Sequence, residues 1–307
     1  MKIEYAIIVK NKTRLEALIE RYNTKAQAQF YIESLGGNFE DYELEHQVFH
    51  QALNLLQSRL SNLIKYKIVE RDYVSSFIFS DNQLIIVIGQ DGLVANTAKY
   101  SKGIPIVAVN PDKDRYDGVL LPFDTTNFIV GIKNVLANNQ QTKTMRFAEV
   151  TLNNGQRLLA FNDLFIGASS HVSARYRIAF SGHKEEQSSS GMIISTQAGS
   201  TAWMSSIFNM TYGIANMLGQ PIRAKKPSLR ASDLMFAVRE PFKSVRTQIE
   251  ITAGIIPENE KLKIDSLMPS NGIIFSDGIE KDFLMFNSGA IASVGIADEM
   301  ARLVVKS

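Results

Sequence analysis

Five apolar residues, Leu84–Ile88, run into Gly89-Gln90-Asp91-Gly92, and a stretch able to form a helix follows near 93–101. A carboxylate between glycines at the end of a buried strand has a definite chemistry open to it. Ligands of open α/β sheets bind beyond the carboxyl ends of the strands. Glycines let backbone N–H groups approach phosphate oxygens, and a following helix adds favourable potential for an anion. Among such donors Asp91 can accept the proton of a hydroxyl group or hold a metal. The competing reading is an ordinary turn, because Asp-Gly is a common turn dipeptide and occurs at 91–92, 117–118 and 277–278. The phosphate-binding P-loop and the G-x-G-x-x-G fingerprint are both absent, so a nucleotide site here is of another kind.

Two further loops carry polar residues where apolar ones would be expected. In "STQAGSTAW" (195–203) an apolar strand ends in Ser195 and Thr196, followed by Gly199, Ser200 and Thr201. Small residues and hydroxyls at a strand-to-helix junction suit close approach of backbone to a ligand, and equally suit a helix N-cap preceded by a turn. Trp203, the single tryptophan, serves either the core or a stacking surface. In "FNDLFIG" (161–167) Asn162 and Asp163 interrupt an apolar run. Buried polar side chains need partners, which a ligand or a local bulge can supply. His46 and His50 lie four apart on one helix face. Gln47-Val48-Phe49 separates them, so the H-E-x-x-H glutamate is missing. No third ligand is evident, and the pair reads as plain helix surface. His171 and His183 lack the setting of a Ser-His-Asp triad.

The elements that must position these loops fall into two compositional halves. "IEYAIIVK" (3–10) reads as a strand, residues 11–35 as helical up to Gly36-Gly37, and 42–64 as a long amphipathic helix with Leu44, Val48, Leu53, Leu56, Leu60 and Leu63 on one stripe. "KYKIVE" (65–70) is either a strand or more of that helix. Leu84–Ile88 and "IPIVAVN" (104–110), joined through a short helix, look like a βαβ unit with parallel, doubly buried strands. A helix at 125–138 closes the first half. From 145 to 295 short strand-like runs separated by turn residues dominate, broken by one helix at 201–217. The expected fold class is an α/β N-terminal domain with a Rossmann-like parallel sheet (1–143, carrying the Gly-Gln-Asp-Gly loop) and a β-rich C-terminal domain (144–295), with a cleft between them. The segment 296–307 is expected to pack back on the first domain.

Composition narrows the partners. Hydrophobic residues make up 45% and charged residues 21%, normal for a globular protein with room for one or two cores. Lys+Arg is 33 and Asp+Glu 31, a net charge of +2, which argues against an extended nucleic-acid footprint. There is no cysteine, which excludes disulfides, thiolate metal sites and a cysteine nucleophile. The apolar run at the N-terminus is broken by charges too early for a signal segment, and no run reaches membrane-helix length. A cytoplasmic protein with no membrane partner is expected.

Taken in order, strand–Gly-Gln-Asp-Gly–helix, "VNPDKDRYDGVLLP", "NDLFIG" and "SSGMIISTQAGSTAW" resemble the NAD kinases, most closely the mitochondrial-type branch and its bacterial relatives. The resemblance covers roughly 80–205. Its Gly-Gly-Asp-Gly motif is shared with diacylglycerol kinases, sphingosine kinases and 6-phosphofructokinases. It implies the NAD kinase-like two-domain fold and a homo-oligomer, dimer or tetramer. It also implies transfer of the γ-phosphoryl of ATP to the adenosine ribose 2′-hydroxyl of NAD, with Mg²⁺ or another divalent cation accompanying ATP. On that resemblance Asp91 is the catalytic base or hydroxyl-orienting group, and Gly89, Gln90 and Gly92 form the phosphate loop. Asn162, Asp163, Ser190, Gly199, Ser200, Thr201, Ala202 and Trp203 line the NAD site. Asp112 or Asp114 would help place the metal, unless both are solvated loop charges. Departures from the family pattern are Gln90 for glycine, Asp163 for glutamate, Ser190 for an aspartate and Trp203 for tyrosine. Gln90 is expected to restrict φ and to add a side chain near the phosphates. These departures keep two other readings open: a kinase of the same fold acting on a lipid or sugar hydroxyl, and a non-catalytic dinucleotide-binding protein.

Overall fold

The computed structural model describes residues 3–306. The chain divides into two compact units, one running to Thr144 and regaining the chain at Ala301, the other spanning Met145–Met300. In the first, β1 (Tyr5–Lys10) is followed by α1 (Arg14–Tyr22), α2 (Lys25–Ser34) and α3 (Glu40–Ser61). Then come β2 (Lys65–Glu70), β3 (Gln83–Ile88), α4 (Asp91–Ala98), β4 (Pro105–Asn110), β5 (Phe123–Asp124) and α5 (Phe128–Leu136). "KYKIVE" is therefore a strand. The sheet order is β2-β1-β3-β4, all parallel, with Ile8 opposite both Ile68 and Ile86, and Ile86 opposite Val107. The outer edge of β4 is shared by β5 and by residues 302–303 of the last strand, both parallel.

Strands β3 and β4 are buried almost throughout, as helix-covered parallel strands must be. One face packs on Phe49, Leu53, Leu56 and Leu60 of α3 and on Phe128, Ile132 and Val135 of α5. The inner stripe of α3 is thus narrower than the sequence stripe: Leu44 and Leu63 are exposed. Each lies near or beyond an end of the helix, past the reach of the sheet. Helix α1 starts with a capping box, Thr13 accepting from the Glu16 N–H while Glu16 accepts from the Thr13 N–H.

The second unit begins within β6 (Thr142–Leu152) and continues through β7 (Arg157–Ala160), β8 (Asp163–Ala168), β9 (Ala174–Phe180), β10 (His183–Ser189) and β11 (Met192–Ser195). After α6 (Trp203–Met217) come β12 (Leu234–Val238), β13 (Ala253–Ile256), β14 (Leu262–Ser266), β15 (Gly272–Ser276), β16 (Ile279–Met285) and β17 (Ile291–Val304). One antiparallel sheet has the order β13-β12-β11-β8-β15-β16; β10-β9-β14-β17 form another run. Period-two alternation gives the first sheet two apolar faces. Leu164, Ile166, Met192, Ile194 and Phe236 join Tyr176, Ile178 and Ile264 in the main core. Phe165, Ile193, Met235 and Phe275 face the other way, under Met204 and Trp203 of α6. No described helix is long and apolar enough to cross a membrane.

Candidate functional site

Asp91 is the first residue of α4, and Gln90 is its N-cap. The backbone N–H groups of Asp91 and Gly92 find no acceptor among the described residues, so two donors at a helix start stand open. The Asp91 carboxylate accepts from the N–H of Leu120 at 2.8 Å and of Val119 at 3.1 Å. That loop is itself held to the end of β4: Asn110 Nδ2 donates to the Tyr116 carbonyl at 2.9 Å. Gly118, at φ +64, lies where a Cβ would come within 2.7 Å of Asn110 Nδ2. Each carboxylate oxygen keeps a second lone pair, so Asp91 is fixed in place and still able to accept.

Gln90 sits at φ −100°, ψ 168°, extended backbone that any residue adopts, so glycine is not required and the expected restriction costs nothing. Its side chain is exposed. Gly89, Gln90 and Gly92 line a cavity of about 110 Å³ with Asn11, Lys12 and Arg71. These last three follow the carboxyl ends of β1 and β2, and sequence reading passed over them. The signal was present: "KNK" directly after an apolar parallel strand is in the same position as the Asp91 loop after β3. Arg71 makes no ion pair among the described residues; Lys12 reaches Glu20 at 2.7 Å. A Cβ built on Gly92 meets nothing within 4 Å. Neither its helical backbone nor its packing requires glycine, and the space beside it is open. Asp112 also lines this cavity but is engaged by Arg115; Asp114 is exposed and is not among its lining residues.

In the second unit Asn162, Asp163 and the 195–201 loop come together. Thr196 N–H donates to the Asn162 carbonyl at 2.9 Å and Thr196 Oγ1 to the Phe161 carbonyl at 2.6 Å. Asp163 and Ser195 are register partners across β8 and β11. A Cβ on Gly199 would lie 2.2 Å from the Asn162 carbonyl oxygen, so the close approach of two backbones explains that glycine. Asp277, from a dipeptide that reads as a mere turn, organises the opposite side. Its carboxylate accepts from the N–H groups of Phe161 (3.0 Å), Asn162 (2.6 Å) and Asp163 (3.3 Å). Asp163 is buried, its Oδ1 without a hydrogen-bond partner among the described residues. Burial pushes its carboxyl up to about 7, the Ser195 hydroxyl opposing and the Asp277 charge adding to the rise. Near neutral pH Asp163 is therefore present in both forms, and its protonated form is a hydrogen-bond donor.

Ser200 turns back on the loop through Gln197, while Thr201 and Ala202 are exposed. Trp203 stacks on Phe165 with ring centroids 5.8 Å apart and an interplanar angle of 9°, and Arg239 lies over its ring at 5.7 Å. Trp203, Phe165, Arg239 and the exposed Ser190 line a cavity of about 740 Å³. The sequence set thus divides in three: Gly89–Gly92 in the first unit; Asn162 and Asp163, gathered by Asp277, with Gly199–Ala202 beside them where Gly199 meets Asn162; and Ser190 with Trp203 on the larger cavity.

The histidines are not plain helix surface. His50 Nε2 lies 2.9 Å from Glu16 Oε1, and His46 Nδ1 lies 2.9 Å from Thr13 Oγ1. Burial and the neighbouring His50 hold His46 below the usual imidazole range.

No protein-family model matches the sequence, and no curated protein matches it. Solved structures do. Yeast NADH kinase, in a complex with NADH, superposes with a TM-score of 0.61 at 16% identity, covering 100% of this chain and 84% of that one. An NAD kinase from Archaeoglobus fulgidus, in a complex with ATP, gives 0.57 at 15% identity, covering 98% and 93%. The fold is that of the NAD kinases. A parallel α/β unit followed by an antiparallel β-rich unit matches the expected fold class throughout.

Proposed function

We propose that the protein is an ATP-dependent NAD kinase that phosphorylates the adenosine ribose 2′-hydroxyl of NAD to give NADP. One observation carries the reading. The Asp91 carboxylate, held by the Val119 and Leu120 N–H groups, stands at a helix start with two free N–H donors and an open Gly92 face, at the carboxyl edge of a parallel sheet, and the Gly89, Gln90 and Gly92 around it line the cavity that Lys12 and Arg71 also line. The NAD kinase fold and the NADH and ATP complexes of its two neighbours support it.

Phosphoryl transfer passes through a loose transition state, so catalysis rests on positioning and charge neutralisation. Asp91 holds the attacking hydroxyl in line and accepts its proton late. The Asp91 and Gly92 N–H groups, with Lys12 and Arg71, neutralise charge on the phosphates. Asn162, Asp163, Ser190 and Gly199–Trp203 form the NAD-binding set, in which the protonated form of Asp163 donates a hydrogen bond and Trp203 lines the larger cavity. The carboxylates lining the cavity do not form a cage: Glu45 is tied to Arg14 and Arg115, and Asp112 to Arg115. This suits a Mg²⁺ ion held mainly by the phosphates of ATP and by water. When bound with ATP, the ion supplies charge neutralisation on the transferred group. We assign the enzyme to the cytoplasm and to a homo-oligomeric state on the same reading.

Gln90 favours one alternative, a different hydroxyl acceptor such as a sugar or lipid, because its exposed side chain borders the cavity where the family pattern has glycine. Incubation of purified protein with NAD, ATP and Mg²⁺, following NADP, tests the main reading. NADP formation is expected. No turnover, together with thermal stabilisation by another hydroxyl compound but not by NAD or NADP, would favour the alternative.

A further inference from the structure

We propose that Glu16, His46 and His50 form a binding site for a divalent transition metal of the zinc type, outside the cavity at Gln90. One ligand atom from each of the three lies within 4.8 Å of the others. His50 and Glu16 are already at 2.9 Å, and the two imidazole rings are 4.2 Å apart by centroids. Zinc takes nitrogen and carboxylate ligands at about 2.0–2.2 Å, which sets ligand atoms roughly 3.3 Å apart in a tetrahedron. To reach that spacing Glu16 and His50 separate by about 0.4 Å and the widest pair closes by at most about 1.5 Å, within reach of side-chain rotation. Two imidazoles and one carboxylate with a fourth position left over is a donor set zinc uses, and imidazole nitrogen disfavours Mg²⁺ and Ca²⁺.

The surroundings orient the ligands. The second carboxylate oxygen of Glu16 accepts from the Thr13 N–H at 2.8 Å, which fixes the group and leaves Oε1 toward His50. Thr13 Oγ1 holds His46 through Nδ1. With Nδ1 so held, the ion would take His46 through Nε2, and an imidazole held at its other nitrogen is the usual outer arrangement of a metal site. The helix pair at i and i+4 on α3 supplies two ligands and the first turn of α1 the third, so the ion ties α1 to α3. Because Thr13 and Lys12 also line the cavity at Gln90, occupancy fixes the turn that carries Asn11 and Lys12. The H-E-x-x-H glutamate is absent, so no hydrolytic role is assigned, and the effect assigned to the ion is the tie between α1 and α3.

The full chain, stripped with chelator, would be titrated calorimetrically with Zn²⁺ alone and, separately, with Co²⁺ followed by its visible spectrum. The expected result is one Zn²⁺ per chain, a rise in Tm, and Co²⁺ bands of a nitrogen-ligated tetrahedral ion, none of them abolished by excess Mg²⁺. In the His46→Gln/His50→Gln double variant affinity should fall on the order of 100-fold or more, since even outer partners of metal ligands are worth about 10–100-fold. Circular dichroism without metal checks that the variant is folded, and His46→Gln alone serves where it is not. Failure of the wild type to bind Zn²⁺ stoichiometrically, or equal binding by the folded variant, overturns the proposal and leaves a purely hydrogen-bonded cluster.

Discussion

Two glycine-bearing loops, one in each unit, look alike in sequence and differ in kind. Gly92 follows Asp91 at a helix start, has ordinary helical backbone, and faces open space. Gly199 sits in a loop pressed against Asn162, with a carbonyl oxygen where its Cβ would be. The carboxylates show the same contrast. Asp277 is used up in gathering three backbone N–H groups of residues 161–163, whereas Asp91 accepts two and remains beside unpaired donors. A glycine that packing requires is architecture. Neither packing nor backbone requires Gly92, and the open space beside it is what we assign to a bound phosphate.

The largest expected effect lies beside Asp277. Below about pH 4 both folded and unfolded chains keep the Asp163 proton; between there and about pH 7 only the folded chain keeps it. Asp163 therefore makes stability fall as pH rises through that window, by at most about 4 kcal/mol. Asp163→Asn should match the wild type near the acid end and be more stable above about pH 7, read from urea unfolding at several pH values. A difference between the two proteins that is flat with pH would mean that Asp163 titrates normally.

The two glycines follow. Gly199→Ala should cost about 1–3 kcal/mol, because the Asn162 backbone must move to admit the methyl. Gly92→Ala should raise stability by up to roughly 1 kcal/mol through helix propensity, while NADP formation drops because the methyl occupies the phosphate's approach. Thermal melts and turnover measured on both variants would collapse the contrast if Gly92→Ala kept full activity, or if Gly199→Ala melted with the wild type.

Much of the first unit was legible because its signals are local. The apolar runs of β3 and β4 are doubly buried, and the loop after β3 begins a helix at Asp91. The close pairing of the 161–163 and 195–201 loops was legible only as two separate interruptions. The residues that escaped notice act at a distance along the chain. Asp277 closes on residues more than a hundred positions earlier, and Glu16 meets His50 across 34. Nothing in local spacing marks such a partner. Lys12 and Arg71 were missed for another reason: charged residues after a strand look like any solvated turn until the parallel register brings the strand ends to one edge. Gln90 shows the converse. The sequence pattern marks it as a disruption of the backbone, which its extended conformation removes, while its exposed side chain still borders the cavity.

The central claim is that Asp91 acts on the attacking hydroxyl. Its most direct test is the rate of NADP formation from NAD and ATP by Asp91→Asn, measured beside the Kd for NAD. The amide keeps the shape and can still accept from the Leu120 N–H. The account predicts turnover lower by about 10²–10⁴-fold, the usual worth of a positioned acid–base group, with NAD affinity nearly unchanged. Wild-type turnover in a variant that binds NAD normally would contradict it.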